Sequence, residues 1–128
     1  VAPEAGIALM NRVRQPFNVN AMALVAARAA LEDEAHVRRT RKLVRDGLRY
    51  YEAELTRLAL PFVPSVANFM LVEVGQGRAV FEALQRERII VRPMDGYGLP
   101  RHIRITLGTP AENARCLSAL EKVLALCR

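Results

Sequence analysis

The chain has 128 residues, a formal net charge of +6, and 52% hydrophobic and 25% charged residues. This length gives one domain of ordinary size with room for a single hydrophobic core, and the composition is that of a soluble globular protein. No apolar run reaches the roughly 18 residues that a membrane-spanning helix needs, and the first residues do not resemble a signal peptide. We therefore expect a cytoplasmic protein that does not bind a membrane.

The positive charge comes almost entirely from arginine, because Lys42 and Lys122 are the only lysines. A basic protein can bind nucleic acid through its phosphates. Here the basic residues are mixed with acidic ones along the chain, and the few aromatic residues are not interleaved with basic ones as base stacking would require. The pattern argues against nucleic-acid binding. Cys116 and Cys127 have no metal-ligand spacing, which favours reduced core thiols and no metal site.

Two short helices are predicted at the start of the chain. The first begins at Pro3, and the segment RQPFNVN after it should be extended or turned because of its proline. Asn18 or Asn20 can cap the second helix, whose sequence is AMALVAARAALED. That helix is rich in alanine and apolar nearly all round, so we expect it to pack against another part of the protein.

A long third helix is predicted from Glu34 to about Ala59, with Asp33 as its N-cap and Pro61 as its end. Its opposite face is rich in arginine and should be exposed, and His36 is expected to be exposed rather than catalytic. The apolar residues recur at helical spacing and predict the face that packs on the core. These residues are Val37, Val44, Leu48, Tyr51, Leu55 and Leu58.

The second half of the chain reads as strands alternating with helices. Residues 62–64 indicate a short edge strand, and residues 67–74 indicate a central strand that is apolar on both faces, with Asn68 as a polar residue at its start. A turn at residues 75–77 leads to a helix over residues 78–88. Val80, Phe81 and Leu84 should face inward on that helix.

Two further strands are predicted at residues 89–92 and 103–107, joined by a loop with two glycines and two prolines. Residues 109–112 form a capping box with proline at the first helical position, so the last helix should begin there. The side chains expected on the inner face of that helix are Ala114, Leu117, Leu120, Val123, Leu124 and Cys127.

The predicted order is βαββα after a long helix, which defines an α+β fold. Its helices should cover one face of a small mixed sheet of three or four strands. A right-handed strand–helix–strand crossover should make the strands at residues 67–74 and 89–92 parallel neighbours or near neighbours. The two strands at residues 89–92 and 103–107 should form a hairpin.

The strands place two arginines close together. Arg92 ends one strand, and alternation in the next puts Arg104 on the face opposite Ile103 and Ile105. A guanidinium group can bind a carboxylate or a phosphate through two parallel hydrogen bonds. Both arginines could equally be solvated residues on an open sheet face, and the spacing alone leaves the two interpretations open. No complete set of catalytic residues and no phosphate-binding glycine loop is present.

Three stretches then carry a resemblance: PFNVN, SVANFMLVEV and IIVRPMDGYGLPRHIRITLGTPAEN. In this order they resemble the C-terminal part of the histidinol-phosphate aminotransferase family, which belongs to the fold-type I enzymes that depend on pyridoxal phosphate. The resemblance covers essentially the whole chain. It implies a small C-terminal substrate-binding domain at residues 33–128. Residues 1–32 would be inter-domain helices that pack on a missing large domain.

The resemblance also implies roles for individual residues. Arg104, in IRITLGT, matches the arginine that holds the acidic group of the substrate, and Arg92, in VRP, matches a second arginine associated with the phosphate. Asn68 matches a structural asparagine of the small domain. Asn18 and Asn20 lie near the domain junction, where we expect them to act as helix caps.

The activity implied is exchange of an amino group between histidinol phosphate and 2-oxoglutarate or glutamate, in a homodimeric enzyme of histidine biosynthesis. The cofactor would be bound by the missing large domain, because neither Lys42 nor Lys122 has the sequence context of the family's cofactor lysine. The chain alone should then be inactive. Aromatic aminotransferases and threonine-phosphate decarboxylase resemble this sequence too. An interpretation of a different class is a free-standing βαββα domain that binds a small anion or a partner.

Overall fold

The computed structural model describes residues 3–126, and the chain divides into two compact units between Val37 and Arg38. The first unit contains helices α1 (Glu4–Val13) and α2 (Ala21–Glu32), neither of which has a buried residue. The boundary expected from the sequence, between residues 32 and 33, falls near this division. The role assigned to the first segment stays a prediction.

The N-caps of the second and third helices are residues that the sequence analysis named as candidates. The side chain of Asn20 accepts a hydrogen bond of 2.8 Å from the backbone N–H of Ala23, so Asn20 is the N-cap of α2. Asn18 lies exposed in the loop before it. Asp33 accepts a 2.8 Å hydrogen bond from the backbone N–H of His36 and caps α3 (Glu34–Arg57), as predicted. None of the helices within residues 3–126 has the length and hydropathy of a membrane span.

The second unit contains a four-stranded antiparallel sheet and confirms the α+β fold class. Its order is β1-β2-β4-β3, so the first strand is at an edge and the second is central, as expected. The strands are β1 (Phe62–Val63), β2 (Phe69–Glu73), β3 (Arg92–Pro93) and β4 (His102–Thr106). Because β4 is inserted between β2 and β3, all paired strands are antiparallel where a mixed sheet was expected.

Helices α4 (Gly77–Arg86) and α5 (Pro110–Leu126) contribute to the core together with α3. The core residues on the sheet come from one face, where Met70, Val72, Ile103 and Ile105 are at most 2% exposed. Although β2 is central and apolar on both faces, only one of its faces is fully buried, because Phe69, Leu71 and Glu73 are only partly buried. The helices contribute the buried side chains of Tyr51, Leu55, Val80, Leu84, Leu117, Leu120 and Val123.

Two expectations for the helix faces need correction. Val37 is 41% exposed, and Ala114 is exposed while Cys116 and Asn113 are buried in its place. Asn113 can be buried because its side chain accepts a 2.8 Å hydrogen bond from the backbone N–H of Gly108 and donates one of 3.1 Å to the Gly108 carbonyl. Cys116 is a free core thiol, and burial raises its pKa. Cys127 lies outside the described residues.

The capping box at the start of α5 forms as predicted. The Glu112 carboxylate accepts a 2.7 Å hydrogen bond from the backbone N–H of Thr109 and one of 2.8 Å from the Thr109 hydroxyl. These hydrogen bonds, above all the one from the Thr109 backbone N–H, lower the pKa of Glu112. The box fixes the point at which the chain leaves β4 and enters the last helix.

Helix α4 ends in a way that explains why β3 is shorter than predicted. The backbone N–H of Ile89 donates to the Leu84 carbonyl at 2.9 Å, and Arg88 donates to the Gln85 carbonyl at 2.9 Å, with Arg88 in the left-handed region at φ 60°. This pair of bonds is a Schellman motif. Residues 88–89 therefore terminate the helix, and the strand begins only at Arg92.

The end of α3 has the same motif, centred on Ala59. The backbone N–H of Leu60 donates to the Leu55 carbonyl at 2.9 Å, and Ala59 has φ 54°. Leu55 is buried in the hydrophobic core and Leu60 is partly buried against it, which fits the apolar contact that often accompanies this motif. A non-glycine residue in this conformation costs about 1–2 kcal/mol.

We expect Ala59→Gly to raise the free energy of unfolding of this chain by about 1 kcal/mol, because glycine adopts the left-handed conformation without strain. The matched control is Ala53→Gly, at an exposed position inside α3, which should lower it by about 1 kcal/mol. Urea unfolding followed by circular dichroism measures both changes. Equal destabilisation by the two substitutions would contradict the assignment of Ala59 to the helix end.

Candidate functional site

The sheet register places the two arginines directly opposite each other. Arg92 on β3 pairs with Arg104 on β4, and Leu71 on β2 pairs with Arg104 from the other side. Directly paired residues project from the same face of a sheet. Ile103 and Ile105 point into the core, so the arginines lie on the open face, as alternation predicted.

Arg104 is held by an aromatic ring rather than by a carboxylate. Its guanidinium carbon lies 4.9 Å from the centre of the Phe69 ring, within the range of a cation–π interaction. Its Nε atom is buried and forms no hydrogen bond. Within residues 3–126, no carboxylate forms an ion pair with either Arg92 or Arg104.

A carboxylate on the open face, that of Glu73, is already paired. Glu73 lies opposite His102 in the register, on the same face as Arg104. It accepts a 2.7 Å hydrogen bond from Nε of Arg101 in the preceding loop. This glutamate is therefore not an ion-pair partner of the two arginines, although its register position is two residues from that of Arg104.

Some of the other basic side chains of this unit do have carboxylate partners. Arg57 Nε donates to Glu54 at 2.9 Å, and its NH2 group lies 3.2 Å from Glu121. Arg78 forms an ion pair with Asp95. These are surface pairs, which contribute little to stability but do satisfy the guanidinium groups. Arg92 and Arg104 carry their charge without such a partner in the described part of the chain.

The loop between β3 and β4 is anchored to the first turn of α4. The backbone N–H of Gly77 donates to the Pro100 carbonyl at 3.0 Å, and that of Val74 donates to the Arg101 carbonyl at 2.8 Å. The hydrogen bond from Arg78 lowers the pKa of Asp95, which lies in the short 3₁₀ turn of this loop. These contacts fix where β4 begins and hence the register that pairs the arginines.

Of the three asparagines selected from the sequence, one lies in the same unit as the arginine pair. Asn68 is exposed at the start of β2, where its carbonyl accepts a 2.9 Å hydrogen bond from the backbone N–H of Leu107. Asn18 and Asn20 belong to the first unit. Phe69 was not recognised from the sequence, because its contact with Arg104 depends on a strand register that the sequence does not specify.

No group of histidine, cysteine, aspartate or glutamate suited to a metal ion occurs in the described residues. The site consists of a pair of guanidinium groups on the open face of the sheet. Such a pair fits an anion with two acidic oxygens, or two neighbouring anionic groups.

Comparison with known proteins identifies the class. The chain belongs to the aminotransferase class I and II family, whose model matches residues 1–120. It is 48% identical over 124 residues to histidinol-phosphate aminotransferase from Akkermansia muciniphila, covering 97% of this chain and 34% of the relative. It is 55% identical over 117 residues to histidinol-phosphate aminotransferase 1 from Nitrosococcus oceani, covering 91% of this chain and 32% of that relative. The chain thus spans about a third of the length of the curated relatives it matches.

A solved structure shares the fold. The crystal structure of histidinol-phosphate aminotransferase from Sinorhizobium meliloti in complex with pyridoxal 5'-phosphate matches with a TM-score of 0.77 and 23% identity. The match covers 94% of this chain and 34% of that one. At this identity the likeness concerns the fold.

The residues present do not fit a site for pyridoxal phosphate. Lys42 Nζ lies 2.6 Å from an Asp46 oxygen, and Lys122 Nζ lies 2.6 Å from a Glu87 oxygen, both with largely exposed side chains. A lysine that forms a Schiff base works as a neutral amine and is activated by desolvation or by a nearby cation. Both lysines here are instead exposed to solvent and paired with carboxylates.

We expect Gly77→Ala to lower the free energy of unfolding by about 2–3 kcal/mol. A Cβ atom at Gly77 would lie 2.5 Å from the His102 carbonyl oxygen and 2.8 Å from that of Pro100, so the loop or the helix must shift. Gly96→Ala in the same loop is the control, because a Cβ there meets nothing within 4 Å. Urea unfolding of the two variants tests whether the contact at Gly77 holds the loop. Equal free energies of unfolding for the Gly77 and Gly96 variants would refute it.

Proposed function

We propose that this chain is the C-terminal, substrate-anion-binding part of a pyridoxal-phosphate-dependent aminotransferase. The proposed reaction exchanges an amino group between histidinol phosphate and glutamate or 2-oxoglutarate. The observation that supports it best is the Arg92–Arg104 pair, which lies directly across two strands with no carboxylate partner in the described residues.

The repulsion between two arginines on neighbouring strands favours a binding role for this pair. Like charges directly opposite on neighbouring antiparallel strands destabilise a sheet. Such a cost is offset when a dianion binds between the two guanidinium groups through charge-assisted hydrogen bonds, each worth about 1.5–3 kcal/mol. We propose that Arg104 binds the acidic group common to the substrates and that Arg92 binds the phosphate.

The proposed substrate rests on the names of the relatives and on the charge of the arginine pair. Relatives at 48% and 55% identity are named histidinol-phosphate aminotransferase. A phosphate monoester carries a charge of about −1.5 to −2 at neutral pH. Two guanidinium groups match that charge better than a single one would. We propose that Asn68 supports the strand that carries Phe69, and that Asn18 and Asn20 shape the junction of the two domains.

The remaining parts of the enzyme are proposed to lie outside this chain. Pyridoxal phosphate would be bound by a large domain, since neither lysine here is suited to hold it, and the chain alone would be inactive. We propose a cytoplasmic homodimer for the complete enzyme. The exposed apolar side chains of α2, among them Met22, Leu24 and Val25, are then explained as a surface for the large domain.

A free-standing anion-binding domain is a weaker alternative. The family match runs from residue 1 to residue 120 and so includes both compact units. Within the family, aromatic aminotransferase and threonine-phosphate decarboxylase activities remain competitors. Kinetics with histidinol phosphate, an aromatic amino acid and threonine phosphate would separate these three.

We expect Arg104→Lys, made in the complete enzyme, to lower kcat/KM for histidinol phosphate and for glutamate. The loss of transition-state binding free energy should be about 2–4 kcal/mol. Lysine keeps the charge but lacks the planar pair of donors. Arg92→Lys should be milder for glutamate and more severe for the phosphorylated substrate. Because both side chains lie on the open face, the melting temperature should change little.

The control is Arg57→Lys, at an arginine paired with carboxylates at the surface, which should leave both kinetic constants unchanged. Wild-type kinetics for both substrates in the Arg104 variant would refute the site. The two arginines would then be ordinary solvated residues of an open sheet face.

A further inference from the structure

The contact between Phe69 and Arg104 crosses the sheet diagonally. Phe69 on β2 pairs with Thr106 on β4. Arg104 precedes Thr106 by two residues on β4 and so projects from the same face. The guanidinium carbon is 4.9 Å from the ring centre here. In the other arginine–phenylalanine contact described, between Arg78 and Phe81, the distance is 5.9 Å, and Arg78 is also paired with Asp95.

The surroundings of Arg104 leave one edge of its guanidinium group open. Nε is buried and has no hydrogen-bond partner, whereas the two terminal nitrogens are not fully buried and form no hydrogen bond within the described residues. An arginine can bind a carboxylate or phosphate through its two terminal nitrogens or through Nε and one terminal nitrogen. In this structure only the edge formed by the terminal nitrogens is accessible.

We propose that Phe69 is a positioning residue that directs the terminal edge of Arg104 towards the anionic group of the substrate. This inference rests on the proposed function and specifies its geometry. The anion binds end-on to the two terminal nitrogens, and the edge that includes Nε takes no part. Phe69 acts through Arg104 and does not itself contact the reacting atoms.

The advantage of the ring is preorganisation. A free arginine side chain has several rotatable bonds, and fixing them on binding weakens affinity. The stacked ring fixes the plane of the guanidinium group before the substrate arrives and does not use up any of its donors. A carboxylate in the same place would fix the side chain equally well, but it would neutralise the charge and occupy the donors.

The test is Phe69→Leu in the complete enzyme, with Phe69→Tyr as the conservative variant. Leucine keeps an apolar side chain but loses the aromatic face. Because the stack contributes to ground-state and transition-state binding alike, we expect KM for histidinol phosphate to rise about three- to thirtyfold with kcat within about twofold of wild type. Tyrosine has a comparable ring face and should restore the wild-type KM.

Phe81→Leu makes the same chemical change at the other arginine–phenylalanine contact, and it should leave KM unchanged. Proton NMR gives a second readout, because the Hε proton of Arg104 should carry a ring-current shift that Phe69→Leu removes and Phe69→Tyr keeps. A stability defect alone would not produce this pattern.

The outcomes separate the two proposals. A large loss of activity in Arg104→Lys together with a wild-type KM in Phe69→Leu would overturn the positioning role and leave the proposed function intact. A parallel fall in kcat and stability that tyrosine does not rescue would assign Phe69 a merely structural role and so overturn the inference. Wild-type kinetics in both the Arg104 and the Phe69 variants would overturn the proposed function itself.

Discussion

The antiparallel pairing of β4 with both of its neighbours is the constraint on which the site depends. This pairing buries Ile103 and Ile105 against the helices, and the alternation of the strand then forces Arg104 onto the opposite face. The same register sets Arg92 beside it. A slip of one residue would bury a guanidinium group in the core, at a cost far above that of losing one apolar contact. Core packing and the proposed anion site are therefore fixed by one set of backbone hydrogen bonds.

Separate sets of contacts hold the two ends of β4. The loop before it is joined to the first turn of α4 through Gly77, whose lack of a side chain permits the close approach to the Pro100 and His102 carbonyls. After it, Asn113 binds both backbone groups of Gly108 and the capping box starts α5. Arg104 thus stands on a rigid scaffold, which a binding group needs if it is to be oriented before its ligand arrives.

Local signals in the sequence predicted much of this architecture. Asp33, the alternatives Asn18 and Asn20, and the capping box marked helix starts, and alternation in β4 assigned the face of Arg104. Two features were beyond those signals. The end of α3 was predicted to within two residues, but α4 ends with Arg88 in a conformation where glycine is usual, so the sequence did not show that β3 starts late. The Phe69–Arg104 contact and the place of β4 between β2 and β3 depend on register and strand order, which arise from tertiary packing.

The most direct test of the account is a titration of this 128-residue chain with inorganic phosphate, followed through the arginine Nε–Hε signals in NMR spectra. Arg92 and Arg104 both lie in the chain, so the site does not need further residues to attract an anion. We predict saturable shifts of these two signals and none for Arg57, whose guanidinium group is paired with carboxylates. Chloride at matched ionic strength should not reproduce the shifts. Unchanged Arg92 and Arg104 signals, or equal shifts of all arginines, would contradict the central claim.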